Sequence, residues 1–126
     1  MEVWKRACQL AVEVISVLKS CKEFALKNQM TKSAISVPSN IAEGAERNSK
    51  KEFVQFLHIA KGSAAELRTQ IYIAEKTGIL NSKITRPLIK ETKEISSMLQ
   101  GLITSKKISP RIVSLILTPN LDINTY

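Results

Sequence analysis

Residues 35–67 read ISVPSNIAEGAERNSKKEFVQFLHIAKGSAAEL, from Ile35 to Leu67, and the parsing of this stretch decides the fold. It reads as the end of one helix, a tight corner at Asn48-Ser49, and most of a second, longer helix. Phe53, Leu57, Ala60, Ala64, Leu67, Ile71 and Ala74 step by alternate fours and threes, the spacing of a seam that packs along a neighbouring helix. The seam is alanine-rich in its middle, so a facing backbone can approach closely there. Ser49 followed by Glu52 is a capping box: Ser49 accepts from the Glu52 amide, and Glu52 reaches back to the Ser49 amide. Gly78 closes this helix, predicted over 50–77, because glycine takes positive φ readily, and Ile79 is the apolar residue behind it.

Upstream, Met30, Ala34, Val37, Ile41 and Ala45 form the stripe of a helix predicted from Leu26 to Arg47. Pro38 sits inside it, lacking an amide and crowding the carbonyl of Ala34. Two readings compete: one kinked helix, or a loop with a new helix beginning near Pro38. The stripe keeps its phase across the proline, which favours the kinked helix. The first helix is predicted over 2–22, with Trp4, Ala7, Ala11, Val14, Ile15 and Leu18 at helical spacing. Val3, Leu10, Val12 and Val17 fall outside that stripe, so apolar residues cover more than one face, a first hint of subunit association. A fourth helix, capped by Asn81 or Ser82, is predicted to run to about Lys106 with Ile84, Leu88, Ile95, Leu99 and Leu102 inward. Pro87 falls near its first turn and bends or delays its start.

Four amphipathic helices with short connections make an all-α, up-down-up-down four-helix bundle over 1–108. Residues 109–126 form a short tail outside the bundle, with Ile112-Val113-Ser114-Leu115-Ile116-Leu117 between Pro110 and Pro119. The tail is either disordered or docked as a short strand or helix. At 126 residues, with four Gly and four Pro, the chain is one domain with little material for the turns of an all-β fold. Cys8 and Cys21, placed on different faces of the first helix, cannot pair with each other there and read as small buried or half-buried residues in a reducing cytosol. The N-terminus carries no signal segment and no apolar run reaches the length of a membrane span. A cytoplasmic protein with no membrane partner is expected.

The search for catalysis returns little. His58 is the one histidine and sits among Phe56, Leu57 and Ile59 as a helix-flank residue. There is no phosphate loop, paired metal-ligand motif or nucleophile elbow, so neither enzymatic activity nor a cofactor or metal is expected. A weaker reading places Glu43 and His58 in one catalytic pocket. Asn40, Glu43 and Glu46 share a helix face. They either converge on a ligand or cation, or they form a structural polar cluster, with Asn40 bonding a backbone group freed by Pro38 and Glu43 pairing with Lys32 or Arg47.

The formal charge is +8, and residues 78–108 hold six bases against two acids. On the fourth helix Lys83, Arg86, Lys90 and Lys93 share an arc of about 80°, opposite the apolar positions. A phosphate backbone would meet that stripe as a row of point charges. A solvated bundle back is the alternative, and Glu94 dilutes the stripe as an i,i+4 partner for Lys90.

The run Gln29-Met30-Thr31-Lys32-Ser33-Ala34-Ile35-Ser36-Val37-Pro38-Ser39-Asn40-Ile41-Ala42-Glu43-Gly44, continued by Glu52-Phe53, Phe56-Leu57, Ile59-Ala60, Gly62-Ser63 and Ala65-Glu66-Leu67, resembles the signature of the bacterial four-helix-bundle family. That family is also called the 23S ribosomal RNA intervening-sequence protein family. Members typically carry two arginines after the Gln-Met pair, where Thr31 and Lys32 stand here. The resemblance implies a bundle that assembles as a ring-shaped homopentamer, with no established activity. It also implies kinship with the accessory variability determinant of diversity-generating retroelements, a basic pentamer that binds nucleic acid and a reverse transcriptase. The expected function is therefore a non-catalytic homo-oligomer that binds RNA or DNA through its basic surface with little sequence preference, with an accessory role to a nucleic-acid enzyme implied by the resemblance. The alternative is a protein-interaction scaffold.

Overall fold

The computed structural model describes residues 1–105, and among these the chain forms four helices: α1 (Glu2–Val17), α2 (Phe24–Ala45), α3 (Lys50–Lys76) and α4 (Ser82–Thr104). Each helix packs against its chain neighbours, and α1 closes the ring against α4, leaving α1/α3 and α2/α4 as diagonals. This is the all-α up-down-up-down bundle that the periodicity predicts. The proposed tail lies outside the described residues.

The core is aliphatic with small residues interleaved. Leu10, Val14, Met30, Ile41, Phe53, Leu57, Leu67, Ile71, Ile95 and Leu99 are fully buried, with Ala7, Ala34, Ala60, Ala64 and Ala74 between them. The α3 seam is buried at all seven of its positions. Its Ala-rich middle lets α2 come close, and the two helices meet through short polar contacts. Ser33 Oγ donates to Glu66 Oε1 at 2.8 Å, and the Ser36 and Ser63 hydroxyls lie 2.8 Å apart.

Three boundaries differ from the sequence reading. α1 ends at Val17 rather than at residue 22. The amide of Leu18 still reaches Val14 O at 3.1 Å, but Lys19 and Cys21 switch to tighter contacts with Ser16 O and Leu18 O as the chain winds into a turn. Leu18 is fully buried there, so its apolar anchor draws the chain across the bundle end without a Gly or Pro to mark the stop. Cys21 is thus beyond the helix that carries Cys8; among the described residues neither forms a disulfide. α2 begins at Phe24, passes through Pro38 as one helix, and ends at Ala45, where the amides of Glu46 and Arg47 turn to Glu43 O and Gly44 O. α4 starts at Ser82 without delay, with Asn81 Oδ1 accepting from the Ile84 amide at 3.1 Å; Pro87 lies well inside it.

The caps of α3 follow the sequence with one change. Ser49 Oγ accepts from the Glu52 amide at 3.2 Å, but Glu52 Oε2 takes the Ser49 hydroxyl rather than the Ser49 backbone amide. At the other end Gly78 has φ +78°, with its amide on Glu75 O and the Ile79 amide on Ala74 O at 2.9 Å. That is a Schellman motif, and it needs a residue that tolerates positive φ. The apolar residues of α1 outside the main stripe are largely absorbed by the same chain. Val3 and Leu10 are buried and Val17 packs against the core, leaving Val12 at 50% exposure.

Candidate nucleic-acid interface

Lys83, Arg86, Lys90 and Lys93 are all exposed on α4, while Leu88, Ile95 and Leu99 on the opposite side are buried. The apolar stripe fixes the rotation of α4, and that rotation turns the four bases outward. They do not stand alike. Arg86 Nε donates to Glu75 Oε1 at 3.0 Å, and the Glu75 side chain is only 9% exposed. The same oxygen accepts from Thr85 Oγ1 at 2.9 Å. The Thr85 hydroxyl first, and the Arg86 guanidinium after it, hold the Glu75 carboxyl below the usual carboxylate range. Arg86 is therefore an anchored cation.

Glu94 does not serve Lys90 as the i,i+4 spacing predicts. It crosses to α1 and pairs with Arg6 through Oε2. Glu91 takes the same guanidinium with both oxygens, Oε2 from Nε at 2.9 Å and Oε1 from Nη2 at 2.5 Å. The hydrogen bonds Arg6 donates to Glu91 and Glu94 raise it above the ordinary arginine value, and the bond received from Arg6 lowers Glu94. A single contact with a guanidinium already held by Glu91 asks less ordering of Glu94 than a contact with the long, exposed Lys90 chain. Between α1 and α4 a shallow groove of about 440 Å³ is lined by Arg6, Lys90, Lys93, Glu94, Ser97 and Met98. Arg6 and Ser97 were not legible as site residues. The signal available was the Glu91/Glu94 pair, which needed a base from another helix.

The second candidate cluster is dispersed among local partners. Asn40 Nδ2 donates to Ser36 O at 2.8 Å and Ser36 Oγ at 2.9 Å. Its backbone partner is the carbonyl of Ser36, not that of Ala34, which Pro38 leaves without its helical donor. Glu43 is exposed and pairs with Arg47 Nη2 at 2.6 Å, while Arg47 also lies 4.7 Å over the Phe56 ring. Glu46 is exposed at the C-cap of α2. His58 is exposed on α3. Among the described residues no group of three His, Cys, Asp or Glu is placed to hold a metal ion, and no helix is long and apolar enough to cross a membrane.

A family model described as 23S rRNA-intervening sequence protein matches residues 1–101. The chain belongs to that family. The match spans α1, α2, α3 and all but the last turn of α4, so the fold and the α4 stripe both fall within the family region. Among solved structures, the chain resembles a protein of unknown function from the S23 ribosomal protein family of Bacteroides thetaiotaomicron. The TM-score is 0.78 at 22% identity, covering 82% of this chain and 99% of that one. At that identity the likeness shows a shared fold. No curated protein matches. Neither the family description nor that of the neighbour names a reaction.

Proposed function

We propose that this member of the 23S rRNA-intervening sequence protein family is a non-catalytic homo-oligomer that binds RNA or DNA with little sequence preference. By its resemblance it forms a five-membered ring and acts as accessory to a nucleic-acid enzyme such as a reverse transcriptase. The observation that carries the reading is the exposure of Lys83, Arg86, Lys90 and Lys93 along one face of α4 in a chain of formal charge +8. A ring repeats that face once per subunit, and each copy adds to the field felt by a polyanion. The stripe carries no aromatic side chain for base stacking, so phosphate contacts supply the affinity and base identity matters little.

The test is fluorescence anisotropy of labelled duplex DNA, single-stranded DNA and structured RNA, titrated across salt. A protomer engaging all four bases on duplex DNA gives a slope of log affinity against log salt of about −3.6. The double variant Lys90→Glu/Lys93→Glu removes retention while the helical circular dichroism is unchanged. Lys90 and Lys93 are chosen because Arg86 is also a structural partner of Glu75. Absence of binding at low salt with folded protein sinks the proposal.

A protein-interaction scaffold is the second reading, favoured by the exposure of Val12, Phe24, Ile35, Ile59, Tyr72 and Ile73. Under it the same double variant keeps its protein partner.

A further inference from the structure

We infer that the groove between α1 and α4 is a seat for a backbone phosphodiester, and that Glu94 is the built-in competitor the phosphate displaces from Arg6; the inference rests on the nucleic-acid reading above. Two carboxylates share one guanidinium. Glu91 holds it with both oxygens and is 25% exposed, whereas Glu94 contacts it with one oxygen and is 45% exposed. A two-point fork is the stronger arrangement, so Glu94 is the exchangeable ligand. Arg6 Nη1 points at Met98 Sδ at 3.5 Å, a weak acceptor that an anionic oxygen outcompetes.

The lining matches that exchange. Lys90 and Lys93 come from α4, Arg6 from α1, and the Ser97 hydroxyl adds a neutral donor beside them. Arg6, Lys90 and Lys93 thus stand against Glu94 in the lining and Glu91 on the same guanidinium, three cations to two carboxylates. A phosphodiester carries one negative charge on two free oxygens. It can take the place of Glu94 on Nη2 and accept from Nη1 while the two lysines flank it. Glu94 is near the surface and moves into solvent at little cost. No bond is made or broken, and the protein's charge is unchanged.

The consequence is that a carboxylate inside the stripe tunes affinity downward and keeps Arg6 in reserve. Glu94→Gln removes the competing charge, and duplex DNA is expected to bind about three- to fivefold tighter at moderate salt. In both proteins the phosphate reaches Arg6, so the gain lies in affinity, and the slope of log affinity against log salt changes by less than the one-phosphate value of about 0.9. Glu23→Gln is the control. It changes the net charge equally but sits at the N-cap of α2, the helix diagonal to α4, and is expected to change affinity less than about 1.5-fold, because exposed charges more than a Debye length apart are largely screened. Arg6→Gln placed on Glu94→Gln abolishes the gain.

Each outcome decides. If the wild type binds and Glu94→Gln matches Glu23→Gln, the seat is wrong and the wider reading stands. A gain that survives Arg6→Gln reflects general charge and also overturns the seat. Folded wild-type protein that binds no nucleic acid at low salt overturns the wider reading and the seat together.

Discussion

Replacing Gly44 by alanine tests the closeness of α2 and α3 directly. A Cβ at residue 44 would lie 2.7 Å from Phe56 Cβ, 3.0 Å from Phe53 Cδ1 and 3.3 Å from Phe53 O. Phe56 Cβ is fixed to the α3 backbone and Phe53 is fully buried, so no flexible chain end can yield. Ordinary contact begins near 3.4 Å, so the two helices must separate by at least about 0.7 Å. Overpacking of this kind costs about 1–3 kcal/mol, and the rigid contacts place it at the upper end. Alanine's helix propensity returns about 0.8 kcal/mol, leaving a net loss of about 2 kcal/mol. Gly62→Ala isolates the second term, because a Cβ there meets nothing within 4 Å; it should stabilise by about 0.8 kcal/mol. Urea unfolding followed by circular dichroism at fixed protomer concentration reads both. With a slope of about 1.5 kcal/mol/M, the midpoint falls by about 1.3 M for Gly44→Ala and rises by about 0.5 M for Gly62→Ala. A Gly44→Ala midpoint at or above wild type refutes the reasoning.

Two further outcomes concern the α3–α4 corner. Gly78→Ala forces a side chain to φ +78° and should cost about 1–2 kcal/mol, read as a lower urea midpoint; an unchanged midpoint removes the Schellman argument. The low pKa of Glu75 makes its contribution to stability fully present above its ordinary value near 4.5 and progressively lost as pH falls through the folded value. Thr85→Val removes the largest cause of that shift, so urea midpoints measured from about pH 7 to pH 3 should fall less steeply on the acid side than in wild type. Identical acid limbs in the two proteins count against the assignment.

The bundle was legible because apolar spacing, caps and corners agree with one another along the chain. α3 shows this most fully: the seam from Phe53 to Ala74, Ser49 before it and Gly78 after it all hold in the structure. α1 was overextended because Leu18-Lys19-Ser20-Cys21-Lys22 carries no breaker, and a buried leucine rather than a local signal ends the helix. Buried Thr85 and Thr92 escaped an apolar template for a different reason. Their hydroxyls face Glu75 and the guanidinium of Arg68, whose Nε reaches Thr92 Oγ1 at 3.0 Å. The α4 bases were legible because a strong apolar stripe fixes its opposite. The choice of Arg6 over Lys90 by Glu94 was not, since it depends on how α1 lies beside α4, a distance no spacing rule contains.

The polar contacts between α2 and α3 have a consequence for vernier alignment rather than for strength. An alanine-lined seam is smooth, and smooth helices can slide past one another with little loss of apolar contact. Here Ser33 meets Glu66, Ser36 meets Ser63, and bare Gly44 lies beside Phe56. Shift α2 by one turn in either direction and Ser36 faces Leu67 or Ile59, Ser33 faces Gln70 or Gly62, and Asn48 or Asn40 arrives where only a hydrogen atom fits. The two hydrogen bonds contribute about 1 kcal/mol each; a one-turn shift in one direction loses both, and in the other keeps at most a Ser33–Gln70 pair while still overfilling the space beside Phe56. The seam thus works as a key cut with three teeth, telling one alignment from its neighbours by what each would lose.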